Sequence, residues 1–291
     1  TVLPVLLFGS AHASLGATED LQRVIQALRS RFPDVKIHVR ADSGFASPRL
    51  YRMFEELSGV TYSIGYTMNK KIQRLSKDLL DQTVVEYEES GEPQRAFMLL
   101  DYQAESWEIT RPVVVKCEVN AQGTNRRAVV TNRPGVTVCP QGVYDEYVDR
   151  GESENRNKEL KCELSSDRLS DHRYMANLFR LMLHTVANNL LVKLRSIVSD
   201  PPPAPVPSDD LPPEAQMPRP KRKLHNARRR RDPLGEGHAC TWRTLVIKVA
   251  ARIVVTTRRV RILISSSWPY AGYLRKLSLA IAEFSPPAPS G

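Results

Sequence analysis

Nowhere does the chain string together eighteen apolar residues, so no stretch is suited to cross a bilayer as a helix. The opening TVLPVLLFGS has no initiator methionine and no basic residue ahead of its apolar run, so a signal peptide is not the expected reading of this segment. It reads instead as a buried strand met in its middle, and the chain is expected to be an N-terminally truncated piece. Cysteine is scarce. Cys117, Cys139, Cys162 and Cys240 form no CxxC pair and have no histidine at ligand spacing, which argues against a zinc site and a disulfide framework. A reducing, cytoplasmic setting follows as the expectation. Internal repeats are absent. Net positive charge is also missing from most of the chain, although the total is +10. Eight cations, Arg219, Lys221, Arg222, Lys223 and Arg228 to Arg231, crowd into one short segment and leave the remainder close to neutral.

What is present has the size and balance of a soluble globular protein: 291 residues, 41% apolar and 25% charged. Residues 1–66 alternate strand and helix patterns. Val2–Leu7 is a short apolar run, and a helix over 19–31 is expected with Thr18 as cap and Leu21, Ile25 and Leu28 on one face. Lys36–Val39 alternates as a half-buried strand. Ser47-Pro48 pairs a cap with a first-turn proline ahead of Leu50, Tyr51, Phe54 and Leu57. Thr61–Gly65 is the next strand, which together suggests an α/β layer with crossovers. Between 67 and 140, after a helical piece near 70–80, strands are expected at 83–88, 95–100, 107–119 and 126–131, punctuated by Gly91 and Gly123. Trp107 reads as core. Residues 151–164 and 173–198 have helical period, with Tyr174, Leu178, Leu181, Met182, Val186, Leu190 and Leu194 expected as one buried stripe. Seven prolines in Pro201–Pro213 mark an extended linker that the basic segment continues. A hairpin over Leu245–Val255 and Arg258–Ile264 and a helix near Tyr270–Phe284 follow.

Two segments carry candidate chemistry. RADSGF at 40–45 puts Asp42 at the end of a β-branched run, before a glycine that lets the backbone turn. YVDRGESENRNKELK at 147–161 sets Tyr147, Arg150, Glu154 and Lys161 at gaps of two, three and six residues. Phosphodiester chemistry uses carboxylates converging from distant parts of a chain, because clustered Asp and Glu hold divalent cations through hard oxygens. Each residue also has a plainer role. Asp before Ser-Gly is a common turn residue. Glu154 in a first helical turn suits the helix dipole, and Lys158 at i+4 pairs with it on the surface. Lys158 and Lys161 equally suit a phosphate backbone, and Arg150 can fork onto a phosphate. Tyr147 suits either a DNA contact or the core.

Taken together, RADSGF, YSIGYTMN, RRAVVTN, YxxRGxxEN-x5-K and DRLSDHRYMANLFRLMLHTVANNLL resemble the DDE transposases of bacterial insertion sequences, in the branch with a Tyr-(2)-Arg-(3)-Glu-(6)-Lys signature. The likeness spans most of residues 1–198 and, more loosely, 240–270. It implies an RNase H-like core: 1–66 as its first part, 67–140 as a β-rich insertion, and 141–199 as the part bearing the glutamate helix. A linker at 200–233, a small hairpin and helix at 234–284 and a disordered tail at 285–291 complete the expected division. Asp42 and Glu154 would be the second and third catalytic acids and ligands of Mg²⁺, for which Mn²⁺ can substitute. Tyr147, Arg150, Lys158 and Lys161 would touch DNA. The family's first catalytic aspartate has no counterpart here, since Asp20 and Asp34 fall in a helix and a turn. The implied activity is cleavage of transposon ends and strand transfer into target DNA, by a homodimer in a nucleoid-associated complex, with this piece itself expected to be inactive. Two other readings use the same residues: a non-catalytic DNA-binding remnant of a decayed element, and a metal-dependent nuclease on the same core.

Overall fold

The computed structural model describes residues 16–148, 150–198 and 239–284. The expected strand Val2–Leu7, the linker and the basic segment 219–231 lie outside the described residues. Two compact units are formed, one comprising described residues up to 151 and the other 152–198 with 239–284. No described helix is long and apolar enough to cross a membrane.

The first unit is built on a five-stranded mixed sheet in the order β1-β2-β5-β4-β3. Its strands are β1 (Ile37–Ala41), β2 (Val60–Tyr66), β3 (Gln94–Tyr102), β4 (Arg111–Asn120) and β5 (Gly123–Thr131). β1 and β2 run parallel, with Arg40 opposite Ser63 and Ala41 opposite Ile64. β5 returns antiparallel to β2, and β4 and β3 continue the antiparallel ladder. The strands of 94–131 thus hydrogen-bond into the same sheet as β1 and β2.

Both faces of that sheet are covered, which explains why β4 and the end of β5 are apolar almost without alternation. One face carries α1 (Ala17–Arg31), α2 (Pro48–Glu56), α3 (Lys70–Leu75) and α4 (Lys77–Ser90). There Ile25, Leu50, Tyr51, Phe54 and Ile72 pack on Tyr62, Ile64, Val113, Val115 and Val130. Each such side chain contributes about 1.5–3 kcal/mol by leaving water. α5 (Pro140–Val148) covers the other face, where Val143, Tyr144 and Tyr147 meet Val114 and Val129.

Several expectations for the first unit are corrected. Residues 83–88 are helical, inside α4, despite a β-branched run. Thr83 Oγ1 donates to Leu79 O at 2.6 Å, Gln82 pairs with Glu86, and Lys77 with Asp81, so side chains satisfy the helix locally. Packing on β3 and β4 then outweighs the weak strand preference of Thr and Val. Thr18 lies within α1; the cap is Gly16, with φ 73° and no side-chain bond. Residues 107–110 are an irregular bend ahead of β4, and Trp107, 4% exposed, packs edge-on to Tyr51, Tyr66 and Tyr102 as core.

The second unit holds α6 (from Gly151 to Lys158), a π-helical turn at Glu159–Glu163, α7 (Tyr174–Val198), α8 (Ala239–Trp242), a hairpin of β6 (Ala251–Val255) and β7 (Val260–Ile264), and α9 (Ala271–Phe284). Its core gathers Leu191, Val198, Trp242, Val246 and Leu277. The expected buried stripe of α7 is largely outside: Tyr174, Met182, Val186 and Leu190 are exposed, and Thr185, Asn188, Leu191, Arg195 and Val198 are buried. The helix is turned this way by Arg195, whose guanidinium is drawn inward to the fully buried Glu159.

Candidate active site

Asp42 directly follows β1, at the carboxyl end of the parallel β1–β2 pair, where open α/β sheets place their ligands. It caps a single 3-10 turn, Ser43–Phe45, and accepts a hydrogen bond from Gly44 N–H at 2.9 Å. The glycine is needed for close approach rather than for a left-handed backbone: a Cβ there would lie 3.0 Å from Asp42 Oδ1. α2 then starts at Pro48, with Ser47 Oγ accepting from Leu50 N–H. This local chemistry leaves the Asp42 carboxylate exposed, and no described lysine or arginine pairs with it.

Tyr147 comes to the same place from the end of α5. Its hydroxyl fits over Gly65 of β2 so closely that a Cβ on residue 65 would sit 2.5 Å from it. The same Cβ would be 3.2 Å from Ser43 N and 3.5 Å from the Asp42 carbonyl carbon. Gly65, the Asp42–Ser43 backbone and the Tyr147 hydroxyl therefore share one small volume. Tyr147 is 8% exposed, and burial raises its hydroxyl pKa; the Arg150 guanidinium offsets part of the shift and the Asp42 charge adds to it. The phenol stays protonated at neutral pH, ready to donate. Arg150 lies over the Tyr147 ring, 5.8 Å from its centre.

Sequence reasoning missed the residues that lock this arrangement. Arg40, two residues before Asp42 on β1, donates to Glu146 O at 2.8 Å across 106 residues of sequence. Arg133 forks onto the Glu146 carboxylate at 3.0 and 3.1 Å. Glu146 is thus held by two arginines from opposite sides of the sheet's end, and Tyr147 is the next residue. The signals were present: an arginine at i−2 shares the strand face of position 42, and a glycine inside a strand often marks close backbone approach.

Glu154, Lys158 and Lys161 belong to the second unit. Glu154 and Lys158 are exposed on α6, and Lys161 is exposed within the π-turn. Lys161 thus lies in the wider π-turn, beyond the regular turns of α6 that carry Glu154 and Lys158. The π-turn is anchored from inside. Glu159 accepts from Arg195 Nη1 and Arg156 Nη1, both at 3.2 Å, and from Ala239 N–H at 2.6 Å. Burial alone would raise this carboxyl; Arg195, Ala239 N–H and Arg156 outweigh it and hold it below the ordinary carboxylate range.

Among the described residues, no three His, Cys, Asp or Glu side chains gather into a metal cage. Asp42 nevertheless has the chemistry of a single hard-cation ligand: an exposed carboxylate, fixed by one backbone N–H and not paired with a described lysine or arginine.

The profile of the family described as transposase DDE domain, group 1, matches residues 3–204. The chain belongs to that family. No curated protein matches it. As a DDE transposase domain it carries a mixed α/β fold and the association with DNA transposition that defines the family, whose domains generally use divalent metal ions.

Proposed function

We propose that this DDE domain cuts DNA at transposon ends and joins the freed 3′-hydroxyl to target DNA, with Asp42 and Glu154 as acidic residues of an RNase H-like site. The observation that carries the reading is the placement of the signature tyrosine's hydroxyl over Gly65, the residue that also lies beside the Asp42–Ser43 backbone. A phosphate beside Asp42 would accept a hydrogen bond from that hydroxyl. Asp42 and Glu154 would hold Mg²⁺, or Mn²⁺ in its place, and the bound ion would supply charge neutralisation for the phosphoryl group. The remaining roles fall to the chain's own groups. Tyr147, kept neutral by burial, donates to a phosphate oxygen. Arg150, positioned over its ring, adds charge, and Lys158 and Lys161 on the glutamate helix neutralise backbone phosphates. Catalysis of this kind rests on positioning and charge rather than on a covalent enzyme intermediate. Bringing two ends together calls for a homodimer on DNA.

Nicking of supercoiled plasmid with Mg²⁺ or Mn²⁺ tests the reading. The comparison is between this chain and an N-terminally extended version that supplies the first acid, and in the version that nicks, Asp42→Asn and Glu154→Ala should each abolish nicking while duplex binding persists. Nicking that survives Asp42→Asn removes the proposal.

A further inference from the structure

The sheet of the first unit carries six cationic strand residues, and five are already engaged. Arg40 donates to Glu146 O, Arg95 pairs with Asp145 at 2.8 Å, and Arg111 forks onto Glu55. Lys116 pairs with Glu118, and Arg126 donates to Gln73 O at 2.8 Å. Arg127 on β5 is the exception: exposed, and with no hydrogen bond or ion pair among the described residues.

Its position follows from register. Val129 lies opposite Gly65, the residue under the Tyr147 hydroxyl. Arg127 is two residues from Val129, so it shares the α5 face and occupies the next row, just past the carboxyl end of β2. Opposite it on β4 is Lys116, whose ammonium lies over the Tyr144 ring and is already neutralised by Glu118. Through space the guanidinium already acts on this corner. Burial pushes the Tyr144 hydroxyl up to about 12, and among the charges opposing that rise Arg127 is the largest. A strand-mounted arginine is held more rigidly than a terminal or linker cation, and its exposed fork suits phosphate oxygens.

We infer that Arg127 is a further phosphate contact of the DNA-cutting edge, holding the backbone of the bound strand beside Tyr147. This rests on the transposase reading and adds to it a residue from the sheet rather than from the signature helix. Its partner is a sugar–phosphate backbone, read without base specificity.

The test is equilibrium binding of a plain duplex oligonucleotide to the full chain between 50 and 200 mM salt, for wild type, Arg127→Gln and Arg127→Lys. Arg127→Gln should weaken binding about three- to tenfold and reduce the slope of log K against log salt by about 0.9, one phosphate's worth. Arg127→Lys should keep the slope. Unchanged binding in Arg127→Gln overturns the inference, as does weaker binding with an unchanged slope, which would report a folding defect. Plasmid nicking by an N-terminally extended version, which supplies the first acid, separates the two ideas. Loss of nicking in Asp42→Asn with an unaltered slope in Arg127→Gln leaves the transposase reading standing and removes this contact. Nicking that survives Asp42→Asn removes the reading itself.

Discussion

The two faces of the five-stranded sheet each carry a tyrosine, an arginine and a carboxylate, and they use them in opposite ways. On the α1–α4 face, Arg111 forks onto Glu55 at 2.7 and 2.8 Å, and Tyr62 donates to the same carboxylate at 2.7 Å. The Arg111 guanidinium also lies 5.2 Å from the Tyr51 ring centre and 5.4 Å from that of Trp107. There Arg111 and Glu55 match each other, and two aromatic rings cover the guanidinium. On the α5 face, Asp42 is exposed with a backbone N–H as its bond, Arg150 lies over the Tyr147 ring, and the Tyr147 hydroxyl sits over Gly65, which also lies beside the Asp42–Ser43 backbone. The same residue types make a closed structural knot in one place and an open reactive edge in the other. What differs is whether the carboxylate is matched by a cation within the fold. A buried, paired charge fixes conformation, whereas an exposed, oriented one remains for a ligand.

The largest expected effects come from crossing the two groups. In an N-terminally extended, cleaving version, Asp42→Asn should lower cleavage by about a thousandfold, the scale of losing several kcal/mol of charge stabilisation, and leave the denaturation midpoint where it was. Arg111→Met should do the reverse, costing about 3 kcal/mol by leaving Glu55 without its partner, with folded molecules cutting at the normal rate. Parallel loss of stability and activity in both variants would erase the distinction between the faces.

A third carboxylate–arginine pair, Glu159–Arg195 in the second unit, is closed like Glu55–Arg111 and makes a pH prediction. Its carboxyl lies below the ordinary range in the folded state. It therefore contributes stability that is fully present above the unfolded glutamate value of about 4.3 and is lost as pH falls through the lower folded value. Glu159→Gln should cost about 3 kcal/mol at pH 7, and the gap to wild type should close as the solution is acidified below pH 4. A gap that stays constant from pH 7 to pH 3 would show that the pair adds nothing electrostatic.

Gly65→Ala should have an intermediate effect. The added methyl meets both the Tyr147 hydroxyl and the Ser43 backbone, and overpacking of this kind costs about 1–3 kcal/mol. Removing the hydroxyl as well, in Gly65→Ala with Tyr147→Phe, should recover much of the stability but not the cleavage. Recovery of cleavage in the double variant would show that the hydroxyl has no part in the chemistry.

How much of this could be read from the residues depended on the range of the interaction involved. Ser47-Pro48, the RADSGF turn and the Tyr147–Glu154 spacing were legible, because caps, turns and short gaps are local chemistry. The helix over 83–88 was not: its Thr and Val residues favour strands, and only the packing of α4 on β3 and β4 decides otherwise. The orientation of α7 was hidden for a related reason. Its apolar stripe predicts one buried face, but Arg195 has to reach Glu159, a partner 36 residues away, and that brings Thr185 and Asn188 inside. At the site itself, the sequence placed Tyr147 among possible DNA contacts without showing that Gly65, Arg40, Glu146 and Arg133 bring it to Asp42.

The smallest effect sharpens the boundary of the open edge. Ser47 closes the loop that begins at Asp42, accepting from Leu50 N–H over a long 3.3 Å. A bond of that length belongs at the weak end of helix capping, so Ser47→Ala should lower stability by about 0.5 kcal/mol in denaturant melts. The Asp42 turn has its own support in Gly44 N–H and in the bond from Phe45 N–H to Asp42 O at 3.1 Å, neither of which involves Ser47. Cleavage by Ser47→Ala should therefore match wild type within a factor of two once the folded fraction is equalised. A larger drop would mean that the Asp42 carboxylate is aimed by the start of α2 as well as by its own turn, and that the reactive edge extends into the closed face.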